Sequence, residues 1–150
     1  MGRMGRIGQI GLILILIASA GVKLWFIREK YEHFRVAEVV DGDTFKLRDG
    51  EKIRLAGIDA PEIKECKGEE AKEKLTQLIK GKVIKFESRG WDGWNRRIGI
   101  VRIGGVDVAE VLLRLGLGQY EWVDKYDIDK LKAARNVGKQ NGLGIWSGTC

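Results

Sequence analysis

Three short stretches of the chain hold the carboxylates and guanidinium groups that could do chemistry. They lie around Asp43, at residues 54–62 and at residues 91–97. Carboxylates bind hard cations and move protons, and guanidinium groups bind phosphate. His33 is the single histidine among 150 residues, which excludes a metal centre built on paired histidines. We therefore expect any catalysis to depend on carboxylates, arginines or a bound cation.

Asp43 follows a turn signal and shares its strand face with apolar residues. In the alternating pattern it has the same parity as Phe45 and Leu47, so it points to the face that a barrel turns inward. A carboxylate there is costly unless a positive group meets it, either a cation or an arginine. The alternative is that residues 41–44 only form a turn.

The second stretch reads RLAGIDAPE and carries Arg54, Asp59 and Glu62. Arg54 and Asp59 are an odd number of residues apart, so they share one site only if the strand bulges or ends near Gly57. Pro61 restricts the backbone on both sides and holds the two acids on a stiff corner. The alternative is an ordinary strand end followed by a proline turn.

The third stretch, WDGWNRR, places arginines beside indole rings in a turn. Guanidinium forks match phosphate geometry and aromatic faces stack on bases, so the combination suits a nucleotide. For Trp91 and Trp94 the sequence favours packing over the barrel mouth rather than stacking on a base.

The elements around these stretches predict an α+β fold. Short alternating runs flank Asp41-Gly42 and Asp49-Gly50, which is typical of hairpins. Helical spacing covers Glu69 to Ile79, and two further helices follow Asp107 and Asp127. Five strands with a helix between the third and fourth predict a five-stranded OB-type β-barrel with three helices, preceded by an N-terminal apolar helix.

The N-terminal segment differs in composition from the rest of the chain. Residues 7–27 are apolar apart from Gln9 and Lys23, and Arg3 and Arg6 precede them. We expect a transmembrane anchor or signal segment at 1–27, a linker at 28–35 and the folded domain at 36–150. An anchor is favoured over a cleaved signal because apolar residues resume after residue 23. Both alternatives place the domain outside the cytoplasm, either tethered or secreted.

Charge and cysteine content add weaker constraints. The net charge of +6 is mildly favourable toward a polyanion but is also compatible with a lysine-rich surface. Cys66 and Cys150 are the two cysteines, and an even number in an exported protein favours one disulfide. Two unpaired thiols are the alternative.

Taken together, five blocks resemble the staphylococcal nuclease, or thermonuclease, family in order and spacing. They are Asp41–Thr44 (DGDT), Arg54–Glu62 (RLAGIDAPE), Asp92–Arg97 (DGWNRR), Asp107–Gly116 (DVAEVLLRLG) and Gly144–Ser147 (GIWS). The resemblance implies a Ca²⁺-dependent endonuclease that hydrolyses DNA and RNA with little sequence specificity and leaves 3′-phosphate ends.

The resemblance also implies roles for individual residues. The side chains of Asp43 and Asp59 and the backbone carbonyl of Ala60 would bind Ca²⁺. The phosphate would be held by Arg54 and Arg96. The remaining implied roles are water activation by Glu62 and nucleic-acid contacts by Trp94, Arg97 and Trp122.

Its partners would be the nucleic acid and, through residues 7–27, the membrane, with no small-molecule cofactor and a monomeric chain. Two other hypotheses remain open at this point. One is a non-catalytic nucleic-acid-binding OB module anchored at the membrane, and the other is a membrane-anchored structural barrel.

Overall fold

The computed structural model describes residues 21–25, 32–123 and 128–150. The chain divides into two units, residues 1–33 and 34–150. In the first unit residues 21–25 are helical and exposed. The rest of the expected apolar segment 7–27, and the expected helix cap Asp127, lie outside the described residues. In the parts that the structure describes, no helix is both long enough and apolar enough to span a membrane.

The described residues of the second unit form short strands and three helices. In chain order the elements are β1 (Val36–Val39), β2 (Thr44–Leu47), β3 (Lys52–Leu55), β4 (Ile58–Asp59), α1 (Gly68–Ile79), β5 (Lys85–Trp91), β6 (Arg97–Ile103), β7 (Val106–Asp107), α2 (Val108–Arg114), β8 (Gln119–Tyr120) and α3 (Ile128–Gln140), followed by a 3-10 turn at Gly144–Trp146.

The main sheet has the strand order β1-β2-β3-β6-β5, with β7 paired to β6. β3 and β6 run parallel, and the other pairs are antiparallel. Arg35 bridges to Val83, and the N–H of Val36 donates to the carbonyl of Lys82 at 3.0 Å. The start of β1 is thus bonded to the segment before β5. The sheet is therefore curled into a half-barrel, which is consistent with the predicted α+β class and OB-like fold, but it has six strands rather than the five expected for the barrel.

The core lies between the inner face of this sheet and the helices. Phe45 and Leu47 on β2 and Ile53 on β3 are at most 1% exposed, because alternate residues of a strand face the same side. Helix α1 covers them with Ala71, Leu75 and Ile79. Burial of these apolar surfaces supplies the main stabilisation of the domain.

Helix α2 begins as its sequence predicts. The side chain of Asp107 accepts hydrogen bonds from the backbone N–H groups of Ala109 and Glu110, at 3.1 and 3.4 Å. These bonds satisfy donors that have no partner within the helix.

One expected strand is divided in two. The run EKIRLAGI reads as a single strand, but β3 ends at Leu55 and β4 begins at Ile58 in a separate two-stranded sheet with β8. Gly57 between them has φ +82°, a conformation that glycine adopts without strain. The chain turns there, and this turn decides which side chains meet at the site.

Candidate active site

The turn before β2 places Asp43 at the edge of the core. The carboxylate of Asp41 accepts hydrogen bonds from the backbone N–H groups of Asp43 and Thr44, at 3.0 and 2.7 Å. Residues 41–44 therefore do form the turn that the sequence offers as an alternative. Asp43 is nevertheless buried, with only 3% of its surface exposed. The turn therefore fixes the backbone while the next carboxylate points inward.

An arginine meets the buried carboxylate. The Nη1 atom of Arg54 lies 2.8 Å from Asp43, and its Nη2 atom lies 2.7 Å from Oδ1 of Asp59. Nη2 is also 3.5 Å from a carboxylate oxygen of Glu121. One guanidinium thus bridges an acid of the turn before β2 and an acid of β4, and a third acid lies at its rim.

The remaining bonds to Asp43 come from neutral groups. The hydroxyl of Thr44 donates to Oδ1 at 2.8 Å, and the backbone N–H of Ala60 donates to Oδ2 at 3.1 Å. This bond fixes the backbone of Ala60 at the site. The carbonyl of the same residue is the one that the family resemblance implies as a metal ligand.

Burial dominates the ionisation of Asp43. It raises the pKa of Asp43 to about 6, and the opposing effects of Arg54, Thr44 and Ala60 do not offset it. For Arg54, burial lowers the pKa of the guanidinium, but the carboxylates of Asp43, Asp59 and Glu121 outweigh burial and raise it. Arg54 remains charged in either case. The negative charge of Asp43 is thus incompletely compensated by the protein's own groups.

The segment after Asp59 carries Glu62 in a tight turn. The backbone N–H of Glu62 donates to the Glu65 carboxylate at 2.9 Å, and the N–H of Glu65 donates to the carbonyl of Glu62 at 2.8 Å. Gly68 packs against this carbonyl so closely that a Cβ there would lie 1.9 Å from the oxygen. The start of α1 therefore holds the backbone of Glu62 in place.

A disulfide joins the same segment to the C-terminus. Cys66 and Cys150 are bonded, with their Cα atoms 5.6 Å apart, and close a sequence separation of 84 residues. This is the pairing that the sequence favours over two unpaired thiols.

Arg96 enters the site from the turn before β6. The carboxylate of Asp92 accepts from Nε and from the backbone N–H of Arg96, at 2.6 and 3.0 Å, and from the N–H of Trp94 at 2.9 Å. Burial raises the pKa of Asp92, but these hydrogen bonds outweigh it and the pKa falls below its ordinary value. Nη1 of Arg96 reaches the hydroxyl of Thr44 at 3.3 Å. Thr44 thereby links Arg96 to Asp43.

Most of the residues proposed from the sequence line one open cavity of about 710 Å³. Arg54, Asp59, Glu62, Arg96, Trp94 and Trp122 all line it. Asp43 and Ala60 connect to it through their bonds to Arg54 and to each other. Arg97 is not among the lining residues, because its Nη2 lies 3.2 Å from Glu51 and its guanidinium lies 4.5 Å from the centre of the Phe86 ring.

The tryptophans differ from the sequence expectation. The sequence favours packing of Trp91 and Trp94 over the barrel mouth, but they are 58% and 78% exposed, and Trp122 is 67% exposed. The guanidinium of Arg96 lies 5.4 Å from the centre of the Trp94 ring. The packing prediction is wrong, because the rings of Trp91 and Trp94 lie largely exposed to solvent.

Sequence reasoning missed four groups that the structure adds. Asp92 orients Arg96, Thr44 links Asp43 to Arg96, Glu121 approaches Arg54, and Lys52 lines the cavity. Lys52 could have been found by parity, since it lies two residues before Arg54 on the same strand face. The role of Glu121 depends on a contact 67 residues away, for which the sequence has no local signal.

The fold and the site together define a mixed α+β domain with acids, arginines and tryptophans around one open cavity. Residues 52–148 match the family described as staphylococcal nuclease homologue. The chain belongs to this family.

Several relatives carry nuclease names. An uncharacterized endonuclease of Escherichia coli O157:H7 is 34% identical over 121 residues, which is 77% of each protein. The staphylococcal-like nuclease CAN1 of Arabidopsis thaliana is 35% identical over 97 residues, 64% of this chain and 29% of the relative. Endonuclease YncB of Bacillus subtilis is 29% identical over 136 residues, 80% of this chain and 64% of the relative.

Proposed function

We propose that this protein is a Ca²⁺-dependent endonuclease that hydrolyses DNA and RNA with little sequence specificity. The observation that carries the proposal is the bridging of Asp43 and Asp59 by Arg54 at a cavity that Glu62 and Arg96 also line. Guanidinium groups recognise backbone phosphate, which is common to all sequences. Membership of a family whose relatives are named endonucleases supports the same function.

The donor set fits a hard cation. Asp43 and Asp59 offer carboxylate oxygens, Ala60 adjoins them with a carbonyl, and the charge of buried Asp43 is incompletely compensated. Such oxygen ligands are those that Ca²⁺ prefers. When bound, Ca²⁺ would supply positive charge against the oxygens of the phosphate.

In the proposed reaction, Arg54 and Arg96 hold the scissile phosphate and stabilise the charge that grows on its oxygens. Glu62 orients a water molecule and takes its proton as the oxygen attacks phosphorus. The bond from phosphorus to the 5′-oxygen breaks, and that oxygen leaves with a proton from solvent. The products are a 3′-phosphate and a 5′-hydroxyl. Trp94 and Trp122 offer exposed rings on which bases can stack.

We further propose that the protein acts as a monomer outside the cytoplasm, tethered through residues 7–27 or secreted if this segment is cleaved. The Cys66–Cys150 disulfide supports export, because disulfides persist mainly in oxidising compartments. Fractionation of cells that express the full chain tests the tether. Recovery of the protein in the soluble cytoplasmic fraction with both thiols reduced would contradict it.

Digestion of plasmid DNA tests the function. The full chain is compared in Ca²⁺, in EGTA, and as Glu62→Gln in Ca²⁺. We expect cleavage only by the unaltered chain with Ca²⁺, with 3′-phosphate ends. The non-catalytic alternative predicts DNA binding without cleavage in all three arms, and equal digestion in all three would refute the assigned mechanism.

A further inference from the structure

Lys52 is a cationic residue of the cavity for which the proposed reaction has no use. It is exposed, belongs to β3 and lines the cavity together with Arg54. Residues two apart on a strand lie on one face, about 6.6 Å apart. Lys52 is therefore the next residue on the same face of β3 as Arg54, which holds the scissile phosphate in the proposed reaction.

Strand register places Lys52 opposite a like charge. It pairs directly with Lys46 of β2. On its other side, Ile53 of β3 pairs with Arg97 of β6, one residue after Arg96, whose guanidinium reaches Thr44 opposite Arg54. Lys52 thus faces one like charge directly, and Arg54 and Arg96 line the same cavity.

Two acids near these cations are engaged by Lys46 and Arg96. Glu38 is paired with Lys46 at 2.8 Å, and Asp92 is paired with Arg96 at 2.6 Å. Like charges directly opposite in a sheet destabilise it. The pairing of Lys52 with Lys46 therefore does not stabilise the sheet. This favours a role for Lys52 in binding an external anion.

We propose that Lys52 binds the backbone phosphate next to the scissile one in a single-stranded nucleic acid. This inference rests on the proposed function, because it assumes a polynucleotide in the cavity. The six bonds that separate successive phosphates along a nucleic-acid backbone can span the distance between Arg54 and Lys52. The ligand is a second phosphodiester of the same strand, so Lys52 affects only substrates that have one.

Binding and cleavage by the full chain test this subsite separately. Binding of a fluorescent twelve-residue oligothymidylate is measured by anisotropy in the Glu62→Gln background with Ca²⁺, with and without Lys52→Gln. We expect Lys52→Gln to weaken binding about fivefold and to reduce the slope of log affinity against log salt by about 0.7, the loss of one phosphate contact to a single strand. Cleavage of thymidine 3′-(4-nitrophenyl phosphate), which has one phosphodiester, should keep its kcat and KM.

Two variants control for charge and structure. Lys85→Gln removes an exposed strand lysine outside the residues that line the cavity and should leave binding unchanged. Lys52→Arg should retain binding, and Lys52→Gln should leave the thermal midpoint unchanged or raise it. Equal effects of Lys52→Gln and Lys85→Gln, or unchanged binding in Lys52→Gln, would overturn the subsite. Slower cleavage of the single-diester substrate by Lys52→Gln would also overturn it.

Failure of this inference is distinguishable from failure of the proposed function. If the unaltered chain binds the oligonucleotide through Lys52 but cleaves nothing, the nuclease proposal fails and the subsite stands. If cleavage is normal and Lys52→Gln binds as tightly as its background, the subsite fails and the nuclease proposal stands.

Discussion

The Nη2 atom of Arg54 donates to Oδ1 of Asp59 at 2.7 Å, although an uninterrupted strand would turn these two side chains to opposite faces. They meet because the strand ends before Gly57, whose φ of +82° redirects the chain. The other end of the guanidinium holds Asp43 at 2.8 Å. Arg54 thus partly neutralises the two acids that we propose as cation ligands, and its removal takes the guanidinium away from both.

The two proposed phosphate-binding arginines can be tested against a neighbouring arginine. We expect Arg54→Ala and Arg96→Ala each to lower kcat by at least about 100-fold, because each removes a donor to charge that develops on the phosphate. Arg97→Ala is the matched control, since Arg97 contacts Glu51 and Phe86 rather than the cavity. Steady-state plasmid cleavage measures all three. Full activity of Arg54→Ala or Arg96→Ala would remove that residue from the mechanism.

The raised pKa of Asp43 predicts a pH-dependent stability. Because burial raises the pKa of Asp43 from 3.8 to about 6, the fold favours the protonated carboxyl. The contribution of the Asp43 carboxyl to the free energy of unfolding is greatest below about pH 4 and is lost as pH rises through 6. In EGTA, the free energy of unfolding of the unaltered chain relative to Asp43→Asn should fall by up to about 3 kcal/mol from pH 4 to 7.

Calcium should change this pH dependence in the proposed site. In the proposed site Ca²⁺ would bind the ionised carboxylate, so its affinity should rise with pH through about 6 and offset the loss of stability at neutral pH. Urea denaturation at each pH, with Ca²⁺ or EGTA, measures both effects. If the free energies of unfolding of the two proteins differ by the same amount at every pH from 4 to 7, the raised pKa of Asp43 is contradicted.

The contact between Gly68 and Glu62 predicts a positioning effect. In Gly68→Ala the new Cβ would lie 1.9 Å from the carbonyl oxygen of Glu62, so the backbone that carries Glu62 must move. A displacement of about 1 Å can cost on the order of 100-fold in rate, and we expect a comparable fall in kcat. Gly93→Ala is the control, because its Cβ would meet no atom within 4 Å. Equal kcat values for the two variants would exclude this positioning role.

The disulfide predicts a stability effect that is separate from catalysis. It closes a sequence separation of 84 residues, which in the chain-entropy model contributes about 4 to 5 kcal/mol. Reduction, or the double change Cys66→Ser with Cys150→Ser, should lower the urea midpoint. Both treatments should give the same midpoint. An unchanged midpoint would show that the bond does not constrain the unfolded chain.

Local patterns in the sequence were sufficient for much of the fold. The alternation of Phe45 and Leu47 with polar residues predicts the inner face of β2, and the spacing from Glu69 to Ile79 predicts α1 to within one residue at its start. These features depend on residues a few positions apart. The sequence offers the break near Gly57 only as a condition for Arg54 and Asp59 to share one site, and it favours packing for Trp94. Both outcomes depend on the course of the chain.

The sequence by itself determined the side chains that supply the chemistry, their order in the chain and the family to which they belong. The tertiary structure decided that one arginine bridges Asp43 and Asp59, that Arg97 lies off the cavity and that Lys52 lies opposite Lys46 and lines the cavity. The physical reason is that side-chain type and parity are local properties, whereas distances between charges depend on how strands pair and where a glycine lets the backbone turn.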